Sequence, residues 1–379
     1  MSQLFSEFEL GGVTFDNRIV VSPMCQYQAD DGSATDWHLA HLGNMAMSGA
    51  GLLIIEATHV SREGRISPKC LGLYSDENET ALKRVMDFCR DHGTAKLGIQ
   101  VGHAGRKGST DVPLNGGKPL QGDSGAWQTI APSALPYADG WHTPRAFEAE
   151  DFARVREEFV QAALRAARIG FDLFELHGGH GYLLHQFLSP ISNQRNDAYG
   201  GDLAGRMRFP LEVFDAVRSV WPHDRPLGIR LSATDWVEGG WTPEDTVEMS
   251  RELKNRGCDF IDVTTSGLDP RQQIPIGPGY QVPFADRIRR EAEIPTMAVG
   301  MINEPAQAEA VIADGQADFV MLARGMMYDP RWPWHAAEEL GVEIEYPAQY
   351  VRAQPSKWPQ AFAHRRNGAP KAVGDARQL

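Results

Sequence analysis

ARIGFDLFELH, residues 167–177, sets the architecture of this chain. Upstream of it, Phe152, Val155, Phe159, Ala162, Ala166 and Ile169 recur at three- and four-residue steps with arginines and glutamates between them, the stripe of an amphipathic helix. Gly170 follows that stripe, where a glycine supplies the left-handed cap that ends a helix. The run after it is short, apolar and without clear alternation, as in a strand buried on both faces. The same joint recurs as MSGAGLLIIEAT (47–58), DHGTAKLGIQV (91–101), NRGCDFIDVT (255–264) and ADGQADFVMLA (313–323). Three further runs, RIVVS at 18–22, PLGIRLS at 226–232 and PTMAVG at 295–300, bring the strands to eight, with helical segments between them.

Eight alternating units predict an α/β fold of the (β/α)8 TIM-barrel type. The competing doubly wound sheet is disfavoured, because no G-x-G-x-x-G follows any of these strands and no G-x-x-x-x-G-K-[ST] occurs. The expected organisation is a single barrel over residues 1–352 with a rim or lid excursion at 103–149 after the third strand. That excursion carries DVPLNGGKPLQGDSGAW (111–127) and is too long for a simple turn. Residues 353–379 lose periodicity and read as an extended or disordered C-terminal arm.

Composition narrows the function. With 37 Lys+Arg against 50 Asp+Glu in 379 residues, the formal net charge is −13, which argues against nucleic acid as a partner. The four cysteines, Cys25, Cys70, Cys89 and Cys258, contain no C-x-x-C pair and suit a reducing, cytoplasmic setting. MSQLFSEFEL at the N-terminus has no basic segment followed by an apolar run, and no stretch approaches the roughly 18 apolar residues of a membrane span. A cytoplasmic protein with no membrane partner is expected.

In a barrel, chemistry sits where the strands end. Those ends carry Cys25, Glu56 with Ala57, Gln100 with His103, His177 with His180, Arg230, Thr264 with Thr265, Gly300 and Arg324. The face is cationic and rich in imidazole, suited to an anionic ligand. VGMIN (299–303) and LARGMM (322–327) supply glycine and backbone N–H groups beside Arg324, a usual barrel phosphate site. Arg230 requires an anion in the mouth, either a neighbouring carboxylate such as Asp235 or a ligand. Lys107 is a weak signal alone, open to a rim role.

His177-Gly-Gly-His180-Gly-Tyr182 is the densest cluster. A metal site there needs more ligands than the nearby His185 and the distant His38 and His41. Structural histidines are the plain alternative. Two imidazoles donating to one carbonyl oxygen, with the phenol delivering a proton, is the reading that uses all three side chains. Cys25 is open to a buried structural role or to one at the strand end.

Two motifs carry a resemblance. NRIVVSPMCQY (17–27) and HGGHGYLLHQFLSPISNQRNDAYGG (177–201) are similar to those of the old yellow enzymes, flavin-dependent ene-reductases on a (β/α)8 barrel. The similarity spans roughly residues 3–352 and is greatest to the thermophilic-like, xenobiotic-reductase-like bacterial subgroup. It implies non-covalent FMN and no metal, with NADPH or NADH as hydride donor. It implies an activity: reduction of the activated C=C bond of α,β-unsaturated carbonyl or nitro compounds, by ping-pong hydride transfer from flavin N5.

By motif position, Pro23, Met24, Cys25, Ala57, Gln100 and Arg230 are implied to line the flavin ring, and Gly300, Ala323 and Arg324 its phosphate. His177 and His180 are implied to hold the substrate oxygen, Tyr182 to give the proton, and Tyr27 to touch the substrate. Gln349-Tyr350-Val351-Arg352 resembles the subgroup's terminal Q-Y-x-R, which implies a homodimer or homotetramer with Arg352 reaching a neighbouring active site. The chain departs from the pattern in having Ala323 where glycine is frequent, an insertion around 111–128 and 27 residues beyond Arg352. Two other functions compete: a metal-dependent barrel hydrolase with His177 and His180 as ligands, and a non-catalytic flavin carrier. A barrel reductase with an iron–sulfur cluster is excluded by the scattered cysteines.

Overall fold

A computed structural model describes residues 2–360. The eight apolar runs form β1 (Ile19–Val21), β2 (Leu52–His59), β3 (Lys96–Gly102), β4 (Leu173–Gly178), β5 (Leu227–Ser232), β6 (Phe260–Thr264), β7 (Thr296–Val299) and β8 (Phe319–Leu322). They pair in parallel and in sequence order, and β8 closes onto β1 with Val320 opposite Ile19. The helices that cross between them are α1 (Asp36–Ala46), α2 (Asp76–His92), α3 (Ala149–Ile169), α4 (Leu203–Arg218), α5 (Pro243–Asn255), α6 (Val282–Glu291) and α7 (Pro305–Ala313), and α8 (Trp332–Glu339) follows β8. This is the closed (β/α)8 barrel that the joints predict.

The predicted stripe on α3 is buried in full, and Gly170 caps the helix at φ +90. Gly93, at the equivalent joint after α2, departs from the expected cap: its backbone is extended at φ −90. Glycine is required there by crowding instead, since a Cβ would come within 2.6 Å of the Cys89 carbonyl oxygen and 2.7 Å of the Ala46 Cβ.

The strands face two cores, which explains why their sequences look unalternating. Outward residues such as Ile55, Ile99, Phe174, Leu176, Ile229, Ile261 and Val263 join the helices in the main core. Inward residues at the base, Leu52, Ile54, Leu173, Phe260, Met297, Phe319 and Met321, form a second cluster. An N-terminal hairpin, Phe8–Leu10 against Val13–Phe15, closes that base with Phe15 edge-on to Phe319 at 5.5 Å. One layer higher, the inward positions become Gln100, Glu175, Arg230 and Asp262, all buried. The apolar plug below and the helices around leave this polar layer facing the C-terminal mouth, where barrel sites are built.

The excursion after β3 is ordered by three short 3-10 turns and a two-stranded pairing of Ile130–Ala131 with Arg145–Ala146. Beyond α8, residues Ala348–Ala353 form a 3-10 turn. Ala353, the first residue of the expected extended or disordered arm, belongs to that turn, the Lys357 and Trp358 N–H groups donate to the Gln354 carbonyl, and residues 361–379 lie outside the described residues. Among the described residues, no helix is long and apolar enough to cross a membrane.

Candidate active site

The strand ends bring most of the expected residues to one mouth. His177 closes the inward row of β4, and its backbone register matches Arg230 on β5. The Gly179 N–H donates to His177 Nδ1 at 3.3 Å, which leaves the ring proton on Nε2. His180 follows in a left-handed conformation, φ +55, with its Nδ1 at 3.4 Å from His177 Nε2 and its Nε2 at 3.0 Å from Thr264 Oγ1. The Thr264 hydroxyl donates on to Gln281 Oε1, and Gln281 Nε2 to the Val299 carbonyl. The direction of this chain makes His180 Nε2 a donor to Thr264 and its Nδ1 an acceptor. The two imidazoles therefore do not present two equivalent free donors, as the sequence reading has it. His180 has its donor engaged with Thr264 at 3.0 Å, while the His177 Nε2–H faces His180 Nδ1 across a longer 3.4 Å contact and is the easier of the two to turn to a ligand. Burial, with Arg230 nearby, pushes both histidines well below the usual imidazole range, so both are neutral.

Tyr182 lies with its ring edge-on to His177, centroids 4.9 Å apart. It shares a small cluster with Cys25, Tyr27, Ile66, Cys70 and Ala104. Burial raises the phenol well above its ordinary value, so it remains protonated. Cys25 is raised as well, by burial and by Glu56, and is a neutral thiol rather than a nucleophilic thiolate. Tyr27, at φ +54, sits on the loop whose Gln26 N–H is held by Glu56 Oε2 at 3.1 Å.

The glycine between His180 and Tyr182 has a physical reason. Gly181 has φ +71, and a Cβ there would stand 2.2 Å from the Gly267 carbonyl oxygen. The left-handed backbone alone costs a side chain roughly 1–3 kcal/mol. Gly181→Ala is therefore expected to lower the melting temperature and to weaken phenol binding while FMN stays bound; an unchanged melting curve refutes this packing account.

Lys107 clamps the same two loops, its ammonium donating to the carbonyls of His180 at 2.8 Å and Gly267 at 2.7 Å. It also lies 5.2 Å from the Tyr182 ring centroid. Burial, with Arg106 beside it, lowers its pKa to about 7 from an ordinary 10.5. Between those values the unfolded chain binds a proton that the folded chain does not, so stability gains a rising component as pH increases across this window. Melting temperatures of wild type and Lys107→Met, compared from pH 7 to pH 10, are expected to diverge with the wild type gaining; parallel curves refute the lowered value.

Arg230 is buried, with its Nε 3.1 Å from Asp262 Oδ2 and its Nη1 3.4 Å from Ser22 Oγ. This corrects the partner suggested by sequence. Asp235 instead accepts from Ser189 Oγ at 2.6 Å and pairs with His185 Nε2 at 2.9 Å, because it sits in the loop after β5 rather than inside the barrel. His185 takes the Gly181 N–H on its other nitrogen, and His38 pairs with Glu56 at 3.3 Å. Two of the three histidines considered as extra metal ligands, His185 and His38, are thus structural.

Pro23, Met24 and Ala57 lie at the ends of β1 and β2, and Gln100 at that of β3, donating to Glu175 Oε1 at 2.7 Å. Gly300, at φ +126, and Ala323 with the exposed Arg324 end the adjacent strands β7 and β8. Arg352 is exposed on the Ala348–Ala353 turn, which Tyr350 packs against Trp334 at 5.8 Å.

Glu63, His103 and Glu158 place possible ligand atoms within 4.8 Å of one another. His103 Nδ1 accepts from the Gly105 N–H, so its Nε2 carries the proton and has no lone pair for a metal. Arg154 already bonds to both carboxylates.

The match to a family model decides the affiliation: residues 3–343 fit the NADH:flavin oxidoreductase / NADH oxidase family. The chain is an old yellow enzyme. NADPH dehydrogenase of Geobacillus sp. (strain WCH70) is 44% identical over 353 residues, 93% of this chain and 98% of that one. NADPH dehydrogenase of Listeria innocua is 45% identical over 355 residues, 93% of this chain and 99% of that one. Among solved structures, morphinone reductase in complex with tetrahydroNAD superposes with a TM-score of 0.74 at 28% identity, over 92% of this chain and 93% of that one. This old yellow enzyme is an NAD(P)H-dependent flavin oxidoreductase, with FMN as its cofactor.

The residues present fit that cofactor. A buried guanidinium at the barrel mouth, a bare left-handed glycine backbone at Gly300 and an exposed Arg324 supply cationic and N–H groups for an anionic, phosphorylated ring system. Sequence reading placed Glu56 at a strand end but passed over Glu175 and Asp262 as candidates for the site's chemistry. The signal was present: each is a lone acid inside an apolar strand run, which burial permits only with a partner.

Proposed function

We propose that this old yellow enzyme reduces the activated C=C bond of α,β-unsaturated carbonyl or nitro compounds, with Tyr182 as proton donor and one site serving nicotinamide and substrate in turn. The observation that carries the reading is the pairing at the mouth: an imidazole whose Nε2–H is held by the Gly179 contact, beside a phenol kept protonated by burial.

FMN, when bound, would supply the hydride-transfer chemistry that links nicotinamide to substrate. His177 donates to the substrate oxygen, which draws electron density from the β-carbon and stabilises the enolate or nitronate charge as hydride arrives. His180, in its Thr264-bonded chain, holds His177 in place and contributes to the same oxygen site. Tyr182 then protonates the α-carbon. Tyr27 borders the substrate across the Cys25 loop. Pro23, Met24, Cys25, Ala57 and Gln100 would line the flavin ring, Arg230 would offset charge at the ring's edge, and Gly300, Ala323 and Arg324 would hold its phosphate.

The working unit in this reading is one FMN-binding barrel over residues 1–352, in a cytoplasmic homodimer or homotetramer. Arg352, exposed on its turn, serves a neighbouring subunit's mouth.

The test is the visible spectrum of the purified protein, followed by anaerobic NADPH and then cyclohexenone. Flavin bands are expected to bleach and then return. A flavin that NADPH reduces but cyclohexenone does not reoxidise refutes the proposed substrate class.

A further inference from the structure

Two buried carboxyls of the polar layer have no part in the mechanism above. Asp262 on β6 is in register with Arg230 on β5, while Glu175 on β4 lies opposite Gly228, one inward position below Arg230. Gln100 Nε2 donates to Glu175 Oε1 at 2.7 Å, and Asp262 Oδ2 lies 3.1 Å from Arg230 Nε. Glu175 Oε2 and Asp262 Oδ1 are buried with no hydrogen-bond partner, and the two carboxyls are close enough for each to act on the other's charge.

An ionised carboxylate only accepts hydrogen bonds, so two neighbouring carboxyls can satisfy their orphaned oxygens on each other only if one of them holds a proton. The charge count agrees. Two carboxylates and one guanidinium leave a net negative charge in a fully enclosed layer, which burial penalises until a proton is taken up. Asp262 has the cation at contact distance, whereas Glu175 Oε1 is served by a neutral amide. The proton therefore resides on Glu175 Oε2 and points at Asp262. In keeping with this, burial and the Asp262 charge raise Glu175 well above the usual carboxylate range, while burial raises Asp262 only to about 6 because Arg230 opposes it. His177, the next inward group above Glu175, is neutral.

We propose that Glu175 is a neutral carboxylic acid in the working enzyme, and that by donating to Asp262 it positions Arg230 and sets how much of the guanidinium charge is left to offset reduced FMN. This rests on the placement of Arg230 at the flavin edge. Asp262 holding both a donated proton and an ion pair grips Arg230 less than a bare carboxylate would. Glu175 touches neither flavin nor substrate and acts through its neighbours.

The first test is the infrared difference between FMN-loaded wild type and Glu175→Gln at neutral pH, matched in flavin content so that the flavin carbonyl bands cancel. A protonated-carboxyl stretch that shifts down in D2O and is missing from the variant is expected; no such band overturns the assignment of the proton. The second is the flavin midpoint potential. Glu175→Gln keeps a neutral donor to Asp262 and is expected to leave the potential near wild type. Asp262→Asn frees Arg230 and is expected to shift it upward. An unmoved potential in Asp262→Asn, or a large shift in Glu175→Gln, overturns the link to Arg230. Arg230→Met distinguishes the two levels: if it leaves flavin affinity and potential unchanged, the placement of the flavin has failed, whereas the infrared result stands independently. Should Asp262→Asn fail to fold, the infrared comparison on the isosteric Glu175→Gln still decides.

Discussion

Tyr182→Phe is expected to slow reoxidation of the reduced flavin by an enone by roughly 10²–10⁴-fold, the usual contribution of a positioned general acid. Reduction of the flavin by NADPH should stay within a few-fold of wild type, because hydride transfer from a nicotinamide needs no proton from the protein. The structure makes this a clean substitution. The ring is packed edge-on to His177 and within the Cys25 and Tyr27 cluster, and those apolar contacts survive loss of the hydroxyl. Burial keeps the phenol protonated, so no pH within the stable range should mimic the variant. Anaerobic stopped-flow of the two half-reactions is the measurement. Equal slowing of both removes Tyr182 from the proton-donor role.

His177→Ala comes second in size. Loss of one preorganised donor to a developing oxyanion costs on the order of 10²–10³-fold in turnover. The hydrogen-bond directions add an ordering that sequence cannot supply. The Gly179 N–H forces the His177 proton onto Nε2, where it meets only a long 3.4 Å contact to His180 Nδ1, whereas His180 donates its own to Thr264 at 3.0 Å. His177→Ala should therefore weaken phenol charge-transfer binding and turnover more than His180→Ala. Spectral titration with a substituted phenol measures this directly. Equal losses would show that substrate re-pairs His180 away from Thr264, and unchanged titration in His177→Ala would remove it from the oxygen site.

The lone acids within the strands show where the sequence stops being informative. Glu175 sits in LFELH and Asp262 in FIDVT, each two residues above an inward Leu173 or Phe260 and two below an inward His177 or Thr264. Strand periodicity could have placed them in the barrel interior, but both faces of each strand are apolar enough to hide which face is which. Asp235 illustrates the opposite error. It is close to Arg230 in sequence and was the obvious counter-ion, yet five residues carry it out of the barrel into the loop, where Ser189, His185 and Trp241 hold it.

The order of the eight βα units, the burial of the strands and the gathering of Cys25, His177, His180, Tyr182, Arg230 and Arg324 at one mouth follow from the sequence alone. The physical reason is that these depend on local rules. Helical and strand periodicity, glycine at helix ends and the short right-handed crossover each act over a few tens of residues. The tertiary structure alone decided which carboxylate faces Arg230, which histidine nitrogen holds its proton and which backbone crowds Gly181. Those outcomes depend on groups far apart in the chain, Glu175 with Asp262, Lys107 with Gly267, His180 with Thr264, that meet only when the barrel closes. Hydrogen bonds are short-ranged and directional, so their partners are set by the closed geometry and not by neighbours in sequence.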